Sequence, residues 1–134
     1  MKRILPGVAL LSLASATSAA SAVPIEGRWQ NPKDSVIIDV APCGTGTWCG
    51  KVSWASPKAK AGAKKGGTTS LVGKRLLTGL RADGQGSYKG RVFLPKRNMH
   101  AGATVRVAGN DVLLVKGCAF AGTVCKQQRW TRVN

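Results

Sequence analysis

An all-β fold, an antiparallel barrel or sandwich of about eight short strands, is what this sequence predicts. Three observations carry it. Apolar residues recur at period two in short runs, as in Val36, Ile38 and Val40 or in Ala103, Val105 and Val107. Clusters of Gly, Pro, Asn and Asp separate the runs at a spacing of roughly ten residues. No stretch carries the 3.6-residue period of a long amphipathic helix.

Residues 1–22 stand outside that pattern. Lys2 and Arg3 give a basic start, residues 4–14 a short apolar run, and Ala20-Ser21-Ala22 a small-residue cleavage site. This is the layout of a secretory signal peptide. The run is too short for a membrane span, which needs about 20 apolar residues. The first cysteine is Cys43, so no lipid anchor is expected at the junction. The expected product is one exported domain over residues 23–134, periplasmic or secreted, with no transmembrane segment.

The first strand falls over residues 26–30. Gly27 lets the backbone bend so that Trp29 can plug one end of a sheet, and Arg129-Trp130-Thr131-Arg132 at the far end of the chain is its counterpart. Asn31-Pro32-Lys33-Asp34 ends that strand as a turn. A half-buried strand follows over residues 36–40, and Gly44-Thr45-Gly46 forms the bend after it. In residues 48–54 the alternation sets Trp48, Gly50, Val52 and Trp54 on one face and Cys49, Lys51 and Ser53 on the other.

Residues 56–69 read differently, as a mobile basic loop. Lys58, Lys60, Lys64 and Lys65 alternate with alanine and glycine and no large apolar side chain anchors them; Gly62 and Gly66-Gly67 argue against a helix. Over Leu71 to Leu80 helix and strand both fit. Strands resume at residues 88–94, 103–108, 112–116 and 126–133. Residues 96–99 connect the first two, and Gly109-Asn110-Asp111 supplies a hairpin turn.

The cysteines are Cys43, Cys49, Cys118 and Cys125, an even number in an oxidising compartment, which implies two disulfides. Three pairings are possible. Cys43–Cys49 and Cys118–Cys125 are favoured because each pair brackets a short Gly/Thr-rich segment that can turn back. Loops of this size stabilise by about 2 kcal/mol each. A metal site is not expected, since neither spacing is the close two-residue kind and His100 is far from any cysteine in sequence.

The net charge is +16, with 21 Lys and Arg against 5 Asp and Glu. Such a surplus steers anionic partners: lipopolysaccharide, lipid headgroups, acidic glycans or nucleic acid, the last ranked low for an exported protein. The lysine run at Lys58, Lys60, Lys64 and Lys65 is the first candidate for that contact, although solubility alone also accounts for a basic surface.

Gly27-x-Trp29, Ala41-Pro42-Cys43 with Cys49-Gly50-Lys51-Val52, Gly73 with Gly79-Leu80, and Gly117-Cys118 with Trp130-Thr131-Arg132 together resemble the domain of unknown function 2147 family of small exported bacterial proteins. The resemblance covers nearly all of residues 23–134. It implies an up-and-down barrel of eight strands, lipocalin-like and of the calycin type, in which the first-strand tryptophan, Trp29, stacks on Arg129 or Arg132. One segment departs from the family: Leu94 stands where an acid is usual, and Lys96-Arg97 make the following loop basic.

Catalytic chemistry finds few means here. His100 has no marked serine partner, Asp34 and Asp39 fall on opposite faces, Asp83 and Asp111 sit in turns, and no glycine loop leads into a helix. No enzyme activity and no cofactor are expected. A binding module is the better class: Trp48, Trp54, Tyr88 and Phe93 with Lys51, Arg75 and Arg91 would line a barrel mouth for a small apolar or anionic envelope molecule. Packing of those aromatics into the core is the simpler reading. The alternative class is a secreted interaction module, either an envelope stress factor acting through its basic surface or one resembling small barrel inhibitors of exported proteases. An inhibitor's inserting arm would here be short.

Overall fold

The computed structural model describes residues 7–9, 11–12 and 24–134. The expected leader, apart from residues 7–9 and 11–12, and its cleavage site lie outside the described residues.

The strands are β1 (Gly27–Gln30), β2 (Val36–Gly44), β3 (Thr47–Ala55), β4 (Arg75–Ala82), β5 (Tyr88–Leu94), β6 (Met99–Ala108), β7 (Val112–Ala119) and β8 (Val124–Val133), with one helix, α1 (Pro57–Lys65), between β3 and β4. Each strand pairs antiparallel with the next, and β8 returns to β1 to close the barrel. The expected up-and-down topology is therefore the one observed. Closure leaves the seam short: β8 meets β1 only through Arg28–Val133, Trp29–Arg132 and Gln30–Thr131.

The core is the inner face of the barrel. Trp29, Ile38, Val52, Leu77, Leu80, Val105 and Leu113 are all but inaccessible. The inner wall is tightly filled. A methyl group at Gly50 would come within 3.2 Å of Ile38 and Leu77, and one at Gly117 within 3.2 Å of Val92. An eight-stranded barrel has an interior just wide enough for its own side chains or one small ligand, and at these positions side chains take the space.

Three bulges explain where period two fails. In β3, Trp54 faces Ile37 while Val52 faces Ile38, so Ser53 is an extra residue and the alternation reverses after it. Trp54 thereby turns outward and is 44% exposed, whereas Trp48 keeps the inner face. In β4, an extra residue at Leu76 lets both Leu76 and Leu77 be buried, and another shift follows between Thr78 and Arg81. That doubled irregularity makes the Leu71 to Leu80 pattern ambiguous; residues 75–82 are a strand.

The basic loop expected over residues 56–69 is largely helical, a correction with a clear local cause. Ser56 takes extended dihedrals and its side chain accepts the Ala59 amide, with Pro57 in the first turn: a strong start signal. Ala63 is buried against the core and Ala59 packs beside it, so an alanine stripe suffices as the apolar face. Lys64 and Lys65 lie in the last turn, where they complement the helix dipole. The glycines do not forbid the helix but end it, Gly66 as cap and Gly67 at φ 104°.

Gly66 is also a close approach. A Cβ there would run into the carbonyl oxygen of Lys96, in the turn between β5 and β6. Thr68, buried just beyond, donates its hydroxyl to Pro95 O at 2.9 Å. Gly66→Ala is expected to push α1 off that turn, lowering stability by about 1–3 kcal/mol, as overpacking does, and speeding tryptic cleavage within 56–74. Unchanged melting and cleavage would show that the helix is not held there.

Both favoured disulfides form. Cys43–Cys49 closes the β2–β3 hairpin. Cys118–Cys125 is not a bracket around a loop but a direct cross-strand pair, because β7 and β8 continue through residues 117–119 and 124–125. Likewise Met99 and His100, expected in a connection, begin β6, and His100 is exposed on that strand. In the β7–β8 turn Phe120 and Ala121 both take left-handed dihedrals, φ 53° and 56°. Non-glycine residues held this way cost about 1–3 kcal/mol each.

Candidate functional site

An up-and-down barrel sends alternate connections to opposite ends, and here that separates the charges. One end carries the β2–β3, β4–β5 and β6–β7 turns and the segment 24–26. It gathers Glu26, Asp83 and Asp111. The Asp83 carboxylate accepts the amides of Gln85 and Ser87, at 2.8 and 3.2 Å, and these bonds, Gln85 first, hold it below the usual carboxylate range. The other end carries the β1–β2 turn, α1, the β5–β6 turn and the β7–β8 turn. It gathers Lys33, Lys58, Lys60, Lys64, Lys65, Lys96 and Arg97, with Asp34 the one acid among its connections.

The acidic end is structurally sealed. Trp29 is fully buried and its indole N–H donates to Ile25 O at 2.9 Å. The Arg132 guanidinium stacks over the Trp29 ring at 4.2 Å and donates to the carbonyls of Pro24, Glu26 and Asn110. Gly27, at φ 134°, is needed here because a Cβ would lie 2.6 Å from the guanidinium. Of the two partners open to Trp29, Arg132 takes the position; Arg129 is exposed and does not stack on it. Trp130 is buried inside the barrel and donates to Gln128 at 3.1 Å. Segment 24–26 is thus tied into its own barrel.

The expected mouth does not assemble. Trp48 and Tyr88 do meet, edge to face with centroids 5.4 Å apart, but at the acidic end, where the Trp48 indole donates to Glu26 at 3.1 Å. Trp54 is on the outer surface. Phe93 pairs with His100 on the outward side of β5 and β6, buried with Lys74 Nζ 4.6 Å above its ring. Lys51 and Arg75 face each other across β3 and β4 and are exposed, as is Arg91 opposite Thr78. Lys51 also pairs with Asp39, which binds Arg28 at 3.2 Å, so this row is a charged ladder on the outer wall.

What the fold brings together instead is the basic end. Lys58, Lys60, Lys64 and Lys65 are all exposed on α1, and the helix ends against the turn that bears Lys96 and Arg97. Beside that junction lies an open depression of about 350 Å³ lined by Gly67, Thr68, Thr69, Ser70, Lys74 and Asn98 among others. The hydroxyls of Thr69 and Ser70, the Asn98 amide and the Lys74 ammonium are donors that suit phosphate or carboxylate oxygens, while the Thr68 hydroxyl is already engaged by Pro95 O. Lys33, Lys96, Arg97 and these hydroxyls are not among the residues that the sequence singles out for this contact; connection parity alone places the turn cations with the helix. Among the described residues no group of three or more His, Cys, Asp or Glu side chains could hold a metal, and no helix is long and apolar enough to cross a membrane.

Residues 27–132 match the family described as "Uncharacterized protein conserved in bacteria (DUF2147)". No match is found among curated proteins. Among solved structures the chain is similar to HP1028 of Helicobacter pylori, described as belonging to the lipocalin family, at 18% identity over 84% of each chain with a TM-score of 0.65. At that identity the likeness is one of fold.

Proposed function

The chain belongs to the DUF2147 family of bacterial proteins, and on that premise we propose that it is an exported, non-catalytic binding module working through its basic end. Its ligand is an anionic molecule of the cell envelope, one that presents phosphate or carboxylate groups, such as lipopolysaccharide or a lipid headgroup. The observation that carries this reading is that the α1 lysines and the cations of the β5–β6 turn share one barrel end, which also bears a depression lined by Thr69, Ser70, Lys74 and Asn98. The packed interior weighs against an apolar ligand carried inside the barrel. Two disulfides fit an oxidising compartment.

The test is the variant with Lys58, Lys60, Lys64 and Lys65 all changed to Gln. Each lysine near an anionic surface contributes about 1 kcal/mol, so binding to lipopolysaccharide at low salt is expected to weaken by about a hundredfold or more. Wild-type binding should itself fall as salt rises, while the fold, read by far-UV circular dichroism, stays intact. Equal binding by variant and wild type would remove the basic end as the working surface.

A further inference from the structure

The β7–β8 hairpin reaches past the barrel wall on both sides. Its last pairing with β6 is Gly102–Cys118, and β8 pairs with β1 only from Thr131 onward. Residues 120–129 are all exposed. The projecting part is nonetheless braced, because Cys118–Cys125 clamps it just below the tip and Thr123 bonds back to Phe120 O through both its amide and its hydroxyl.

The tip is built against local preference. Four residues, 120–123, join Ala119 to Val124, and left-handed φ in such a connection is ordinarily left to Gly, Asn or Asp. Here Phe120, Ala121 and Gly122 take positive φ in succession, only the last of them a glycine, and Phe120 is 71% exposed, with Val124 beside it at 50%. A bulky residue in a left-handed conformation, displayed to water on a disulfide-braced arm, is strain without any packing return inside the molecule. The surroundings are cationic: Lys126 lies on the arm, and Arg91 shares with Phe120 an open depression of about 570 Å³. No acid follows Asp111 in the chain.

We infer that this hairpin is an insertion tip for an anionic phospholipid bilayer, with Phe120 entering the interface and Lys126 and Arg91 meeting headgroup phosphates. The tip sits at the same barrel end as α1, so the inference rests on the reading of that end as the anion-facing surface and names a bilayer as what it faces. An apolar ring between cations matches the two-part chemistry of such an interface, apolar below and anionic above. Charge alone recruits reversibly; the ring adds a component that salt does not screen.

The experiment is sedimentation of the full mature protein with sucrose-loaded vesicles, phosphatidylglycerol-rich or pure phosphatidylcholine, at low and high salt. Phe120→Asn is the informative variant because asparagine tolerates the left-handed turn. It is expected to melt at or above the wild-type temperature yet partition onto phosphatidylglycerol-rich vesicles roughly tenfold or more weakly, the loss strongest at high salt. Phe120→Trp should retain partitioning, with added emission that shifts to the blue and is quenched by brominated acyl chains. Three results each overturn the tip: wild-type partitioning by Phe120→Asn, equal binding to phosphatidylcholine, or added emission in Phe120→Trp that vesicles leave unmoved. The outcomes separate the two readings: loss with the α1 lysine variant but not with Phe120→Asn keeps the basic end and removes the tip, and the converse removes the basic end.

Discussion

Trp29→Ala is expected to lower the stability of the barrel by about 3–5 kcal/mol, the usual cost of deleting a buried aromatic ring. The indole has no exposed surface, is held by Ile25 O and lies under the Arg132 guanidinium, so its removal leaves a cavity and an unpaired carbonyl together. Nothing nearby can collapse freely into the space, because segment 24–26 is anchored independently through Arg132. Thermal and urea unfolding followed by circular dichroism measure the effect. A variant that melts within a degree or two of wild type would show that Trp29 is not the plug of the acidic end.

Arg132→Met is the second large effect, at about 2–4 kcal/mol. Hydrogen bonds to a charged donor contribute about 1.5–3 kcal/mol each, and partly exposed carbonyls recover some of that from water. Methionine keeps the stem but leaves Pro24, Glu26 and Asn110 carbonyls without their donor. The loss should appear mainly as faster unfolding if the end seals late. In a double-mutant cycle with Trp29→Phe, the pair should couple by about 0.5–2 kcal/mol, the range of a stacked cation–π contact. Strict additivity would mean that Arg132 serves the carbonyls alone.

Much of the fold was legible because local signals agreed with one another. Val36, Ile38 and Val40 alternate cleanly and lie in a strand without interruption, and each cysteine pairs with its near neighbour in sequence. Trp54 was misplaced because a bulge is a feature of pairing: nothing in the residues 48–54 says that Ser53 is the extra one. The helix is obscured in the sequence by opposing local signals. Gly62 and Gly66 counted against it as poor helix formers, while the start signal Ser56-Pro57 and the burial of Ala63 outweighed them. Strands β6, β7 and β8 proved longer than their apolar pattern, because Gly102 and Gly117 read as breaks when they in fact sit paired within the sheet.

The candidate site was less legible for a different reason. A mouth built from Trp48, Trp54, Phe93 and the nearby cations supposes that residues of like chemistry share a face, whereas strand alternation and the bulges in β3 and β4 distribute them over the inside, the outside and the sealed end. The lysines of α1 were identified by density alone. Their company, Lys33, Lys96 and Arg97, follows from strand count and direction. Phe120 gave no periodic signal at all; it became conspicuous only with its dihedral angle and its exposure known.

The seam has a consequence for how the molecule is made. Arg132 reaches a carbonyl 106 residues upstream, so the contacts that close the barrel join the two far ends of the domain. A chain emerging amino end first from a ribosome therefore cannot become a barrel until β8 is free. Until then it is a curved open sheet, with the β1 edge unprotected and Trp29 uncovered. Long-range pairing of this kind is slow to find and prone to association meanwhile. The +16 charge, spread along the chain before any end is formed, repels such open sheets from one another through that interval.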